Sequence, residues 1–245
     1  NTYKDETTRK SQTTLTGAPV EYIVTTLRTL TEYLGADNKL RQYKESTTIG
    51  GLTTQTWVVF DATVLGLPVD PSIGYYAATG QVKGQYEFTT TDPVAISTAN
   101  FETKTKRTLI TYDTYDVVAG RINTYKDETT RKSQTTLTGD PVEYNVTTLR
   151  TLTEYFNVPP GIIPLPGPEK TDLNDKVKQY KESTTINGLT TYSWVTFDAT
   201  VLGLPADSSI GYYLTDQVKG QYEFTKVGSA PTTTDYESKT KRTLI

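Results

Sequence analysis

Carboxylates are the only side chains in this sequence from which ordinary catalysis could be built. Its 245 residues include no His, Cys or Met. That removes imidazole acid–base chemistry, thiol nucleophiles, Cys/His zinc sites and Ser-His-Asp triads together. Glycosidases need two Asp or Glu flanking a bond, and two acids recur in matched surroundings: Asp61 and Asp198 in FDATVLGLP, expected inside the second strand of a hairpin, and Glu87 and Glu223 in QYEF. A plainer reading makes them strand acids, paired with Arg41, Lys44 or Lys83 for solubility. No spacing supports a Ser-Lys or Tyr nucleophile, so no catalytic residue is assigned and the chain is expected not to be an enzyme.

Ligand chemistry has more candidates. Calcium needs a dense set of oxygen ligands; DxDxDG is absent, and the nearest substitutes are VDPS at 69–72, TDLND at 171–175 and YDTYD at 112–116. In the last, Asp113 and Asp116 are the candidate Ca²⁺ ligands; no other cofactor is expected. Tyr75, Tyr76, Tyr212 and Tyr213 lie beside turn residues and, with Trp57 and Trp194, form a candidate glycan platform. Packing against a sheet is the competing role for each. Asn145-Val146-Thr147 is the one N-x-T sequon, and Ile23 stands at the matching place earlier in the chain. Asn145 is therefore the candidate glycosylation site and is expected to be exposed.

These residues are matched because the chain is a tandem duplication. Residues 1–33 and 123–155 differ only at Ala18/Asp140 and Ile23/Asn145. The offset then grows from 122 to 137 residues, so the second copy carries 15 extra residues within a Pro-rich loop at about 157–175. Later blocks, RQYKESTTI, FDATVLGLP, QVKGQYEFT and KTKRTLI, extend the match to the C-terminal end. The expected organisation is a β unit at 1–110, a connector at 111–122 and a second β unit at 123–245. Residue 1 is Asn, so the chain reads as a processed product, a fragment or the ordered part of something longer; KTKRTLI continues as TYDTYDVVAGRI after the first copy but not after the second, so the chain reads either as ending after its last strand or as two units of a longer array.

The elements that position these residues read as all-β. Thr supplies 50 residues, and with Val, Ile, Tyr, Phe and Trp it suits a pleated, half-buried surface. Gly50-Gly51 and Asn187-Gly188 separate extended runs and predict two-residue hairpins. Counting outward pairs Ile49 with Leu52, Thr47 with Thr54, Glu45 with Thr56, Tyr43 with Val58 and Arg41 with Phe60, leaving Gln55, Trp57 and Val59 on the other face. Either face could be the core. Further strands are expected at 7–16, 82–90 and 101–112. Residues 20–34 show helical apolar spacing (Val20, Val24, Leu27, Leu30, Leu34), and Asp140 to Glu143 resembles a capping box. Their Thr, Val, Ile and Tyr content favours a strand, so one helix per repeat is the alternative. Two tandem homologous β-sandwich or β-barrel domains are the expected fold.

A tandem β protein has strand edges, and an unpaired edge can take a strand from a neighbour. The N-terminal segment (Asn1, Thr2, Tyr3) and the junction (Thr111, Tyr112, Thr114, Tyr115, Val117, Val118) are the candidate assembly residues. No basic block appears and the pI is near 5.2, against a nucleic-acid partner. The longest apolar stretch, at 156–168, holds five prolines and is short of the roughly 20 residues of a membrane helix, so no membrane span is expected. A sulfur-free chain suits an extracellular or cell-surface setting. The leading expectation is a subunit of a filament, tube, sheath or surface layer that self-assembles. A carbohydrate-binding or adhesive module with one site per repeat, and a virion structural protein, are the alternatives.

Overall fold

The computed structural model describes residues 3–11, 20–35, 38–112, 120–133, 142–156, 176–213 and 217–243. They form antiparallel strands with no α-helix among them: β1 (Tyr3–Ser11), β2 (Val20–Leu34), β3 (Lys39–Ile49), β4 (Leu52–Val59), β5 (Gly74–Tyr75), β6 (Val82–Thr90) and β7 (Thr103–Tyr112), then β8 (Ile122–Ser133), β9 (Val142–Tyr155), β10 (Val177–Ile186), β11 (Leu189–Thr196), β12 (Gly211–Tyr212), β13 (Val218–Val227) and β14 (Ser238–Thr243). The chain divides into two compact units, 1–109 with 127–145, and 110–126 with 146–245. In the first unit the ladder runs β1-β2-β3-β4-β6-β7 and then the C-terminal half of β8, with β5 also on β6. The second holds the end of β7 from 110, the N-terminal half of β8 and β9 from 146, then β10-β11-β13, with β12 and β14 both on β13. Neither ladder closes on itself among the described residues. None of those residues lies in a helix long and apolar enough to cross a membrane.

Local chemistry explains the hairpins. Gly50 and Gly51 have φ of 59° and 85°, and Asn187 and Gly188 have 51° and 82°, the paired positive values a tight hairpin turn demands. The β3–β4 register is the one counted from the sequence: Ile49–Leu52, Thr47–Thr54, Glu45–Thr56 and Tyr43–Val58 are opposed, and Phe60 N–H donates to Arg41 O at 2.9 Å. Residues 20–34 are a strand, and a bulge accounts for the spacing of Leu27 and Leu30. Arg28 opposes Glu45 and Leu30 opposes Lys44, so the register shifts by one residue at Thr29. That extra residue brings Leu27 and Leu30 to one face three positions apart.

In the first unit the core lies on the Trp57 side of the sheet. Trp57, Val59, Tyr86 and Phe88 pack there with Ala62, Ile73 and Ile96 from the connections between strands. Trp57 stacks on Phe88 at 5.1 Å between ring centres, and Phe101 meets Phe88 edge-on at 5.7 Å. Trp57 Nε1 donates to Gln42 Oε1 at 2.8 Å, while Gln42 Nε2 donates to Glu32 at 2.7 Å. Every polar atom of that buried pair is thus occupied at low cost. The second unit repeats this with Trp194 on Phe224 at 5.4 Å and Trp194 donating to Gln179 at 2.7 Å. Gly84 sits where a Cβ would come within 2.2 Å of Ser72 O, and Gly220 within 2.3 Å of Ser209 O. Glycine there lets the connection carrying β5 or β12 press directly on the sheet.

Candidate functional site

The acids singled out for chemistry sit in two different settings. Asp61 and Asp198 do not lie inside the second hairpin strand, as expected, but just after it, where each caps a one-turn 3₁₀ helix. Asp61 Oδ1 accepts from Thr63 N–H at 3.0 Å and Thr63 Oγ1 at 2.7 Å, and Oδ2 accepts from Arg41 at 2.9 Å. Burial pushes its pKa up, but the hydrogen bonds from Thr63 and Arg41 outweigh that and hold it below its ordinary value. Short polar side chains compete well for the free amides of a turn, which is why FDAT ends the strand. Glu87 is a different case. Burial on the sheet raises its pKa, opposed by Arg107, with Asp127 and Glu45 adding to the rise. Glu223, its copy, pairs with Arg242 at 3.1 Å.

VDPS also forms a turn. Asp70 Oδ1 accepts from Ser72 N–H at 2.9 Å and Ser72 Oγ at 2.6 Å, and Oδ2 meets Lys106 Nζ at 2.7 Å. Hydrogen bonds from Lys106 and Ser72 bring its pKa down to about 2. Asp207 repeats the arrangement with Ser209 and Lys241, and its carboxyl is likewise held well below the usual range. Among the described residues no group of three or more acids could hold a metal ion. Asp113, Asp116 and 171–175 lie outside the described residues.

Of the tyrosine pairs, one member packs and the other faces out. Tyr75 stacks on Phe60 at 5.4 Å and donates its hydroxyl to Leu40 O at 2.9 Å; Tyr212 stacks on Phe197 at 5.2 Å and donates to Val177 O at 2.9 Å. Burial raises both phenols to about 12. Tyr76 and Tyr213 are exposed. Asn145 is exposed on β9, with Oδ1 accepting from Thr130 Oγ1 at 3.0 Å.

Strand edges gather the remaining candidates. Tyr3 opens β1 and opposes Arg28 of β2, while Asn1 and Thr2 lie outside the described residues. Thr111 and Tyr112 end β7, and Thr111 Oγ1 is 2.7 Å from Thr124 Oγ1; Thr114, Tyr115, Val117 and Val118 fall outside. Sequence reasoning missed the polar ladder alongside. In the first unit Arg107 Nε and Nη2 donate to the two oxygens of Asp127 at 2.7 and 2.6 Å, and the Thr105 and Thr129 hydroxyls meet at 3.0 Å. Thr89 and Thr103 share another hydroxyl bond. The signal was there: TYKDETTRKS and KTKRT each occur twice, so a pairing made by one occurrence is encoded in the other. Among the described residues β1 pairs only with β2, and β14 only with β13. Lys4 to Thr7 of β1 are exposed, as is almost all of β14. No family model, curated protein or solved structure matches the chain.

Proposed function

We propose that this protein is a non-enzymatic structural subunit, a building block of an extracellular filament, tube, sheath or surface layer that assembles from identical copies. One observation carries the reading: among the described residues β1 pairs only with β2 and β14 only with β13, and Lys4 to Thr7 and almost all of β14 are exposed. Soluble β proteins normally blunt or cover such edges, because a row of free N–H and C=O groups templates pairing with another chain. Here the edges are threonine-rich and carry both signs of charge, a composition suited to specific pairing. In this reading the copies are tandem homologous β-sandwich units; a barrel would need a closing ladder. A glycan-binding module has less support, since Tyr75 and Tyr212 are engaged in packing.

Electron microscopy of the purified chain over a concentration series tests the proposal. Regular fibres, tubes or sheets are expected above a threshold concentration. Dispersed particles at every concentration would overturn it and move attention to a glycan screen.

A further inference from the structure

The same segments occur in two environments. TYKDETTRKS stands at 2–11 and 124–133, and KTKRT at 104–108 and 239–243. The occurrences in β7 and β8 are paired with each other. In the first unit Lys132 N–H donates to Glu102 O at 2.9 Å, Thr105 faces Thr129, and Arg107 holds Asp127 with two hydrogen bonds. Lys132 Nζ also sits 4.0 Å from the centre of the Phe101 ring and donates to Ala99 O at 3.2 Å.

The other occurrences are set up in the same way. β14 lies on β13 in the register that β7 takes on β6: Arg242 opposes Gln221 as Arg107 opposes Gln85, and Thr240 opposes Glu223 as Thr105 opposes Glu87. β1 matches β8. Its Thr8 opposes Ile23 of β2, and the counterparts Thr130 and Asn145 are hydrogen-bonded. The unpaired edge of β14 is therefore the edge with which β7 meets β8, and the unpaired edge of β1 is the edge with which β8 meets β7.

We infer that β14 of one copy pairs antiparallel with β1 of a second copy, rebuilding between chains the ladder that β7 and β8 make within one. Arg242 takes Asp5, Thr240 faces Thr7 and Lys241 faces Glu6. Tyr236 is 40% exposed where its counterpart Phe101, which Lys132 of β8 covers, is partly buried. The occupant is a second copy because sequence, register and charge order on the two edges are those of a pairing the chain already makes. An interface joining two different surfaces is heterologous, so chains add head to tail into an open polymer. This inference rests on the structural-subunit reading and specifies its junction.

The absence of cysteine makes the test clean. Thr7→Cys and Thr240→Cys are introduced into the full chain, ¹⁴N- and ¹⁵N-labelled proteins are mixed, and the mixture is oxidised. Directly opposed Cβ atoms in a sheet lie about 4.5–5.5 Å apart, close enough for a disulfide after small adjustment. The expected product is a reducible ladder of dimers, trimers and larger species, with mixed-isotope peptides joining positions 7 and 240. Separately, in the cysteine-free chain, Asp5→Arg raises the concentration threshold for assembly at least tenfold, and adding Arg242→Asp restores it. Fibres that form without a 7–240 link, a link confined to single chains, or an Asp5→Arg threshold like that of the parent would each overturn the junction while leaving the subunit reading intact. Absence of both fibres and links would overturn both.

Discussion

β7 and β14 share the letters KTKRT and the same register on the strand before them, yet β7 is mostly half-buried and β14 mostly exposed. Arg107 keeps 34% of its side-chain surface and Arg242 keeps 67%. The difference comes from one neighbour: β8 covers the edge of β7, and among the described residues nothing covers that of β14. Burial of a strand residue is therefore a property of the ladder it joins, not of its own letters. β1 and β8 teach the same lesson, since Lys4 to Thr7 are exposed while three of the four residues from Lys126 to Thr129 are partly buried.

The largest effect should come from the cores, where the copies agree. Phe88 and Phe224 are 1% and 0% exposed, so Phe88→Ala and Phe224→Ala should each cost about 3–5 kcal/mol in chemical denaturation. Similar losses would place the contrast at the edges; a much smaller loss at Phe224 would show that the second core is weaker without a strand beyond β14. Next come the arginines. Arg107→Ala leaves Asp127 without its bidentate partner and should cost about 1–2 kcal/mol, because the bonds are charge-assisted but partly solvated. Arg242→Ala in dilute protein should cost under about 0.5 kcal/mol. Equal costs would break the comparison.

The smallest effects are pH-dependent and opposite in sign. Asp70 has a folded pKa of about 2, below its ordinary 3.8, owing first to the hydrogen bond from Lys106 and then to Ser72. The stability it contributes is fully present above about pH 4 and is lost as pH falls toward about 2. Asp70→Asn should flatten the stability profile across that window. Glu87 is raised by burial, so its contribution is present at low pH and lost as pH rises through its folded pKa. Glu87→Gln should accordingly gain stability at pH 7 relative to pH 4, as thermal melts at the two values would show. A profile unchanged by either substitution would remove these carboxyls from the account.

Some local features of the candidate residues were legible in the sequence. Asn145 was expected to be exposed because it heads the N-x-T sequon, and it is. Asp61 and Asp198 were misplaced by a residue or two because FDAT reads as a continuing strand until the aspartate finds the amide of the residue two places on. The spacing of Leu27 and Leu30 looked helical because a bulge in a strand shifts alternation in the same way. A single sequence shows neither event.

By itself the sequence determined the duplication, the strand-rich character and the β3–β4 register, since side-chain alternation and a two-residue turn with positive φ leave one pairing. Only the tertiary structure decided that the Trp57 face is the core, that Arg107 holds Asp127, and that identical strands are covered in one place and bare in another. Alternation and turns are local, carried by the covalent chain. A strand's second edge is completed by a partner that the chain supplies from elsewhere, and local chemistry holds no record of whether that partner has arrived.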